Sequence, residues 1–366
     1  SGNVDSGKST LIGVLTSGEL DNGRGKTRLK VFTHPHEVES GRTSSVSLEI
    51  MGFNNQGECV NKNKVKKMAW EDIVKSSSKI ITFYDLCGHE KYLRTTIYGY
   101  SMSHPDYSLI MVGSNMGITH MTKEHIFASI ALKVPMVIIL TKIDICPSEV
   151  LERTVNNIKN LLKSSGVRKI PYMVKSEDDN ILCSKNIISD NIVPIFKISN
   201  VSGLNVELLT NFLNLLPNNS KLYKNKNKHV EFNIDRLYQI TGTGTVLSGL
   251  LKSGTVKIGD TLYLGPDRNE NFKECKVKSI QCKRVPIESA IAGHYVCFGI
   301  KKLNKNMIKK GMVLVSKENK KAIRKFDAEI IILKSHHTTI KKNYQPILHV
   351  NNTRQAAKII DIKNNN

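Results

Sequence analysis

The sequence predicts an α/β domain with a mostly parallel, doubly wound sheet, followed by a small antiparallel β-barrel and part of a second barrel. In the first part of the chain, apolar runs alternate with helical stretches, which is typical of parallel sheets covered on both faces. From His229 onward, short alternating strands are separated by Gly-rich corners, the pattern of a small barrel. A further β-rich segment, Phe326-Asp-Ala-Glu-Ile-Ile-Ile-Leu333, stops at an Asn-rich end.

Composition shifts place the domain boundaries. We assign residues 1–217 to the α/β domain, 218–319 to the barrel with a Lys-rich linker at 218–229, and 320–366 to a partial second barrel. So short a third segment is rarely enough for an independent barrel. No residues precede the first glycine-rich loop except Ser1, so we expect the first strand of the sheet to be missing through clipping, loss or mis-annotation.

The apolar and amphipathic runs define the elements of the α/β domain. We expect strands at 79–84, 107–112, 134–140 and 193–198, and helices at 9–18, 122–132, 149–163 and 206–216. In such sheets, ligands bind outside the carboxyl ends of the strands. We expect the candidate motifs described below to lie just beyond such ends.

Composition restricts the class of protein. The chain is 40% hydrophobic and has no apolar run long enough for a membrane span and no signal peptide at its start, so we expect no membrane partner. Its seven cysteines are scattered and form no C-x-x-C pair, which favours reduced thiols in the cytoplasm. A net charge of +22 permits an RNA partner, although AT-rich coding bias would produce the same Lys and Asn excess.

A complete phosphate-binding loop opens the chain. Gly2-Asn-Val-Asp-Ser-Gly7-Lys8-Ser9 matches G-x-x-x-x-G-K-[ST], in which backbone amides surround phosphate oxygens. Lys8 is expected to contact the β- and γ-phosphates, and the Ser9 hydroxyl to bind Mg²⁺. Thr43, in a long polar loop, is the expected second hydroxyl on Mg²⁺, and Asp85 is expected to reach the metal through water.

The segment Asp85-Leu-Cys-Gly88-His89 follows the strand at 79–84. The Gly88 amide is expected to contact the γ-phosphate, and His89 to orient the attacking water. Positioning and charge stabilisation are the main needs of such chemistry. A histidine met alone would more often be a surface or helix-cap residue, and that alternative is kept for His89.

A second group of motifs addresses the base. Thr141-Lys142-Ile-Asp144 places a carboxylate that accepts hydrogen bonds from guanine N1–H and the 2-amino group, neither of which adenine offers. The Lys142 stem is expected to lie along the ring, and the Ser199-Asn200 backbone to donate to guanine O6.

The motifs together give the candidate site residues. The candidate catalytic residues are His89, Lys8 and Thr43, and the candidate metal ligands are Ser9, Thr43 and Asp85. The candidate nucleotide-binding residues are Gly2, Asn3, Val4, Asp5, Ser6, Gly7, Lys8, Ser9, Thr10, Asp85, Gly88, Thr141, Lys142, Asp144, Ser199 and Asn200.

These residues resemble the translational GTPases of the elongation factor Tu and elongation factor 1-alpha superfamily. The similarity lies in the phosphate loop, Gly41-Arg-Thr43, Asp85–His89, Thr122-Lys-Glu-His-Ile126, and the barrel segments Thr243-Gly-Thr-Val-Leu-Ser-Gly249 and Lys257-Ile-Gly-Asp260. Within that group, the segments at 18–25, 34–45, 85–93 and 141–144 resemble the GTP-binding protein 1 and 2 family.

The resemblance implies a GTPase domain and two barrels that switch between GTP and GDP shapes and need Mg²⁺. It also implies binding to aminoacyl-tRNA, the ribosome or other RNA, with links to messenger-RNA surveillance, and we expect a monomer. Thr141 departs from the asparagine of the wider superfamily, which predicts weaker guanine binding. Arg42 departs from the apolar residue of elongation factor Tu that pairs with the equivalent of Val4. It is either an internal charge stabiliser or a solvent-facing side chain.

The leading hypothesis is therefore a Mg²⁺-dependent GTPase that acts as an elongation-factor-like switch. Two alternatives stay open. One is an RNA- or protein-binding module with little or no GTPase activity. The other is a remnant coding sequence that folds poorly.

Overall fold

The computed structural model describes residues 1–62, 68–242, 244–301, 303, 305–309, 311–330 and 339–363. Two compact units are present: Ser1–Gly99 with Pro105–Asn219, and Tyr100–His104 with Ser220–Asn366. Over the described ranges, no helix has the length and apolar character needed to cross a membrane.

The first 219 residues contain eight helices and six strands within their described part. They are α1 (Lys8–Ser17), α2 (Pro35–Ser40), β1 (Ser47–Phe53), α3 (Trp70–Ser76), β2 (Lys79–Asp85), α4 (Leu93–Ser103), β3 (Ser108–Gly113), α5 (His120–Ala131), β4 (Met136–Thr141), α6 (Ser148–Lys163), β5 (Ile170–Met173), α7 (Glu177–Asn186), β6 (Ile192–Lys197) and α8 (Val206–Leu215). The predicted strands and helices all form, with ends that differ by one or two residues.

The four strands β3, β4, β6 and β5 pair in that order as a parallel sheet. β1 and β2 form a separate antiparallel pair, with Ser47 opposite Asp85. The two sheets share one hydrophobic core with α1 and α8, in which Met51, Val137 and Phe212 are almost fully buried. The predicted α/β architecture with a parallel sheet is confirmed.

The chain start lies beside this sheet. Gly2 forms a parallel bridge with Met111 of β3, and the Met111 amide donates to the Ser1 carbonyl over 2.8 Å. The expectation that the first strand of the sheet is missing stays a prediction. Ser1 and Gly2, the first residue of the phosphate loop, nevertheless pair with β3 through these contacts. Their backbone runs alongside β3 and delivers the loop to the carboxyl end of that strand.

The second unit contains β7 (Glu231–Ile240), β8 (Gly244–Ser253), β9 (Thr255–Lys257), β10 (Thr261–Gly265), β11 (Lys273–Cys282), β12 (Val285–Ile287), β13 (Ser289–Ile291), β14 (Tyr295–Lys301), β15 (Val313–Val315), β16 (Ile347–Val350) and β17 (Thr353–Ala356). Strands β10, β15, β7, β8, β14 and β11 pair in order, and a β10–β11 pairing closes the barrel. Phe232 and Phe298 are fully buried at its centre, with ring centroids 4.6 Å apart. The predicted antiparallel barrel is confirmed.

The third predicted domain is represented by a single antiparallel pair, β16 with β17, in the part of 320–366 that the structure describes. Thr243 and the segment 331–333, both used in the sequence analysis, lie outside the described residues. The partial second barrel and the boundaries 1–217, 218–319 and 320–366 stay predictions.

Candidate nucleotide-binding site

The phosphate loop leads directly into α1. Hydrogen bonds from two of its own side chains to one of its backbone carbonyls stabilise its conformation. Gly7 precedes the helix with a positive φ of 81°, a conformation that favours glycine. The Ser6 hydroxyl donates to the Asn3 carbonyl over 2.8 Å, and Lys8 Nζ donates to the same oxygen over 2.6 Å. The loop therefore encloses the N-terminus of α1, where unpaired backbone amides favour an anion.

Ser9, Thr43 and Asp85 meet beside this loop. Ser9 Oγ lies 2.9 Å from Thr43 Oγ1 and donates to Asp85 Oδ2 over 2.5 Å, while Thr43 Oγ1 donates to the same carboxylate oxygen over 3.3 Å. Ser9 comes from α1, Thr43 from the loop after α2 and Asp85 from the end of β2. We call these three residues the hydroxyl–carboxylate triad.

The donor set of this triad fits Mg²⁺, a hard cation that takes oxygen ligands and completes its shell with phosphate and water oxygens. No group of three or more His, Cys, Asp or Glu that could hold a metal occurs in the described ranges. Two neutral hydroxyls and one carboxylate make a weak site without phosphate. The residues present therefore suit a metal that arrives with a nucleotide.

Burial shifts the pKa values of the two charged groups in this region, Asp85 and Lys8, in opposite directions. It raises the pKa of Asp85 above its ordinary value, and the Lys8 charge opposes that rise. Burial also lowers the pKa of Lys8, and Asp85 opposes that change. A bound phosphate would favour the charged form of Lys8 as the carboxylate does.

Gly88 packs directly against the phosphate loop. A Cβ on this residue would lie 2.6 Å from the Gly2 carbonyl oxygen and would overlap Lys8 Nζ. Any other residue would push the loop or the lysine away. The backbone at Gly88 therefore approaches the position at which a terminal phosphate would lie.

His89 caps a short 3₁₀ turn at Glu90–Tyr92. Its Nδ1 accepts from the Lys91 amide over 3.1 Å, and its ring makes an edge contact with Tyr92 at a centroid distance of 6.1 Å. Because Nδ1 accepts, a neutral ring in this geometry carries its proton on Nε2. The helix-cap alternative therefore accounts only for Nδ1. Nε2 remains available as a hydrogen-bond donor beside the phosphate loop.

The base-side motifs lie at the carboxyl ends of two adjacent strands, β4 and β6. Thr141 is the last residue of β4, fully buried, and its hydroxyl donates to the Ser6 carbonyl over 2.9 Å. Lys142 follows with a φ of 60°, and Asp144 is exposed. β6 pairs with β4, so Ser199, two residues beyond its end, lies at the same edge of the sheet.

Ser199 and Asn200 shape the loop after β6. The Ser199 hydroxyl accepts from the amides of Val201 and Ser202 over 3.2 and 3.1 Å. The Asn200 carbonyl accepts from the Asp21 amide over 2.9 Å. Both residues are buried, so the backbone of this loop is fixed before any base binds.

Glu37 organises the loop that contains Thr43 and was not among the residues expected from the sequence. Its Oε1 accepts from the amides of Ser44 and Ser45 over 2.8 and 3.1 Å, and its Oε2 accepts from those of Thr33 and His34 over 3.1 and 3.2 Å. Burial alone would raise its pKa, but these amides lower the pKa of Glu37 to about 2. The available signal was the capping pattern His34-Pro-His-Glu37 at the start of α2.

The phosphate end of the site is an open cleft. It is lined by Val4, Asp5, Gly7, Lys8, Ser9, Thr10, Arg28, Gly41, Arg42, Thr43, Gly88 and His89. Arg42 is exposed at this cleft. Arg28 was not among the residues expected from the sequence, because no motif marks it. Asp85 lies buried behind Ser9, and the base-side residues from Thr141 to Asn200 contribute no lining to this cleft.

A search against protein-family models matches residues 1–218 to the elongation factor Tu GTP binding domain. The chain belongs to this family. Residues 244–315 match elongation factor Tu domain 2, in the segment that forms most of the barrel.

Among curated relatives of this elongation factor Tu-type chain, GTP-binding protein 1 of Xenopus laevis is 49% identical over 362 residues, which cover 98% of this chain and 55% of that protein. GTP-binding protein 2 of Homo sapiens is 46% identical over 363 residues, covering 98% and 60%. Elongation factor 1-alpha of Pyrococcus horikoshii is 27% identical over 372 residues, covering 99% and 81%. The chain thus spans less than two thirds of the first two relatives, and the predicted resemblance to GTP-binding proteins 1 and 2 is confirmed.

Solved structures share the fold. The bacterial selenocysteine-specific elongation factor EF-Sec matches with a TM-score of 0.63 and 22% identity, over 87% of this chain and 44% of that one. The elongation factor SelB of Methanococcus maripaludis, in complex with the GTP analogue GppNHp, matches with a TM-score of 0.60 and 24% identity, over 87% and 54%.

Proposed function

We propose that this chain binds GTP together with Mg²⁺ and hydrolyses it to GDP and phosphate. The observation that supports this most directly is the hydroxyl–carboxylate triad beside the phosphate loop, with Ser9, Thr43 and Asp85 within hydrogen-bond distance of one another. Three separate parts of the chain supply these groups at the start of α1. Such an arrangement suits a metal held between protein oxygens and a polyphosphate.

Each candidate residue then has a proposed role. The amides of residues 2–10 and the N-terminus of α1 bind the phosphates, and Lys8 neutralises the β- and γ-oxygens. Ser9 and Thr43 are proposed as direct metal ligands and Asp85 as a ligand through water. Bound Mg²⁺ would neutralise charge on the phosphates.

His89 is proposed to orient the attacking water rather than to deprotonate it. Its Nδ1 is occupied by the Lys91 amide, so the neutral ring offers a donor at Nε2. A donor can hold a water or a γ-phosphate oxygen in place, but it cannot accept a proton. This limits His89 to positioning, which is the larger need in phosphoryl transfer.

The base is proposed to be guanine. Asp144 would accept from N1–H and the 2-amino group, Lys142 would cover the ring, and the fixed backbone of Ser199–Asn200 would donate to O6. Thr141 would act at a distance from the base, because its hydroxyl braces the phosphate loop through Ser6.

We further propose that the chain acts as an elongation-factor-like switch on aminoacyl-tRNA, the ribosome or other RNA, in the cytoplasm and as a monomer. The named elongation factors among its relatives and the +22 charge support an RNA-linked partner. A link to messenger-RNA surveillance follows from the resemblance alone.

The proposal is tested with the purified protein, by titrating GDP, GTP and ATP calorimetrically in Mg²⁺ and by following phosphate release from γ-labelled GTP in single turnover. We expect saturable binding of GDP and GTP, no binding of ATP, and release that stops when Mg²⁺ is chelated. A Lys8→Ala variant serves as the matched control that lacks the phosphate contact. Absence of any saturable guanine-nucleotide site would leave the alternative of an RNA- or protein-binding module.

A further inference from the structure

Arg28 belongs to the phosphate cleft, although no recognised motif includes it. The residue lies on a 3₁₀ turn at Thr27–Lys30, in the connection between α1 and α2. Its side chain lines the same cleft as Lys8, Thr43 and Gly88. The side chain is therefore at the phosphate end of the site and not at the base side.

The turn that presents Arg28 is anchored by the carboxylate of Asp21. One oxygen accepts from the Gly23 and Gly25 amides, and the other from the amide and hydroxyl of Thr27, each over 3.0 Å. Burial would raise the pKa of Asp21, but these donors lower it below the usual value. A charged carboxylate with four donors fixes the loop that precedes Arg28.

Close packing against α1 fixes the same turn from the other side. Thr27 is fully buried. A Cβ at Gly13 of α1 would lie only 2.7 Å from the Thr27 carbonyl carbon, so a larger residue would displace the turn. Arg28 thus starts from a rigid backbone position directly beside the helix that holds the phosphate loop.

Two glycines make room for the guanidinium. Gly25 and Gly41 have positive φ values of 83° and 64°. A Cβ at Gly25 would lie 2.8 Å from Arg28 Cζ, and one at Gly41 would lie 2.9 Å from Nη2. Because Gly41 is two residues before Thr43, the guanidinium packs against the loop that completes the hydroxyl–carboxylate triad.

Among the residues that the structure describes, the Arg28 guanidinium has no ion-pair partner. Its Nε is buried without a hydrogen-bond partner. The Glu37 carboxylate is occupied by the loop amides already described. A half-buried cation without a partner is costly unless a ligand supplies the negative charge.

We propose that Arg28 is a catalytic arginine supplied by the chain itself, which binds the β- and γ-phosphate oxygens of GTP and stabilises the charge that develops there. The inference rests on the proposed GTP hydrolysis. In that step the water oxygen bonds to the γ-phosphorus, and the bond from this phosphorus to the β–γ bridging oxygen breaks, its electrons remaining on GDP. One water proton stays on the released phosphate and the other passes to solvent.

The experiment compares the unmodified protein with Arg28→Ala, Arg28→Lys and, as the matched control, Arg24→Ala, an exposed arginine of the same connection. Affinity for GDP and GTPγS is measured by fluorescence titration, and hydrolysis by single turnover of γ-labelled GTP. We expect Arg28→Ala to slow hydrolysis on the order of 10³-fold, the low end of what such an arginine contributes. It should also weaken GTPγS binding more than GDP binding, whereas Arg24→Ala should match the unmodified protein.

Arg28→Lys keeps the charge and loses the planar fork, so it should recover only part of the rate. Should Arg28→Ala not unfold cooperatively, the lysine variant decides the matter by the same measurements. Rates equal to the unmodified protein, equal weakening of GDP and GTPγS with an unchanged rate, or a rate loss in Arg42→Ala alone would each overturn the assignment. If the unmodified protein itself neither binds nor hydrolyses GTP, it is the proposed function that fails.

Discussion

The hydroxyl of Thr141 donates a 2.9 Å hydrogen bond to the carbonyl of Ser6, and so joins the end of β4 to the phosphate loop. The sequence suggests that a threonine here weakens the base pocket. The structure adds that its short side chain acts on the phosphate loop, because a fully buried hydroxyl satisfies a carbonyl of that loop. Base-side and phosphate-side segments are thereby coupled through one hydrogen bond.

Replacing Thr141 with valine should weaken nucleotide binding. Valine has nearly the same shape but leaves the Ser6 carbonyl without this donor, at a cost of about 1–3 kcal/mol. We expect GDP affinity to fall by roughly 5- to 150-fold, measured by titration with a fluorescent GDP. The control is Thr210→Val in α8, whose hydroxyl donates to the Val206 carbonyl of its own helix. Equal affinity in both variants would show that the loop does not depend on Thr141.

Neutralising Glu37 should loosen the loop that presents Thr43. A glutamine at this position keeps one acceptor but loses the charge-assisted bonds to the surrounding amides, a cost of about 1–3 kcal/mol. We expect faster amide hydrogen exchange over residues 33–45 in Glu37→Gln. Glu39→Gln, at an exposed position of the same helix, should exchange like the unmodified protein. Identical exchange in the two variants would refute the role assigned to Glu37 in holding this loop.

The lowered pKa of Glu37 also predicts that the free energy of unfolding depends on pH. The pKa of Glu37 is about 2 in the folded chain against an ordinary 4.5, so its stabilising contribution is complete above about pH 4.5. It is lost as the pH falls through 4.5 toward 2, where the folded carboxylate takes up a proton. The difference in unfolding free energy between the unmodified protein and Glu37→Gln should therefore shrink over that interval. A difference that stays constant from pH 6 to pH 2 would contradict the assigned pKa.

The parts of the site that could be predicted from the sequence are those marked by short motifs. The phosphate loop and Asp85–His89 are marked by short, ordered spacings, the latter after an apolar strand. The structure places Ser9, Thr43 and Asp85 within hydrogen-bond distance of one another. Strand β1 was missed because six of its seven residues are buried. With both faces covered, Ser47-Leu-Glu-Ile-Met-Gly-Phe53 lacks the alternation that marks a half-exposed strand.

Arg28 could not be predicted, because its surroundings come from separate segments of the chain, whereas Glu37 leaves a local capping pattern at the start of α2. The Arg28 guanidinium depends on Gly41, and its turn depends on the close approach of Thr27 to Gly13. The donors to Glu37 lie on both sides of α2. The relations around Arg28 depend on tertiary packing and leave no short spacing pattern in the sequence.

Exchanging the Asp144 carboxylate for an amide should change base preference. Asparagine cannot accept from both guanine N1–H and the 2-amino group, and its own NH₂ can donate to the 2-oxo group of xanthine. We expect Asp144→Asn to lose GDP affinity on the order of 10²-fold and to gain affinity for XDP. Competition titrations with GDP, XDP and ADP measure this. Asp178→Asn, an exposed aspartate at the start of α7, should keep the original preference, and unaltered preference in Asp144→Asn would remove this residue from the base site.

Truncating His89 should separate binding from turnover. Alanine removes the Nε2 donor proposed to hold the attacking water, while the phosphate loop, Lys8 and the hydroxyl–carboxylate triad stay in place. We expect single-turnover hydrolysis to fall on the order of 10²-fold with GDP and GTPγS affinities nearly unchanged. His89→Gln should retain part of the rate, since its amide can donate from a similar position but has no ring to fix it against Tyr92. His120→Ala, an exposed histidine at the start of α5, is the control and should leave the rate unaltered. If His89→Ala turned over as fast as this control, His89 would be only the cap of its 3₁₀ turn, and the water would have to be oriented by other groups of the cleft.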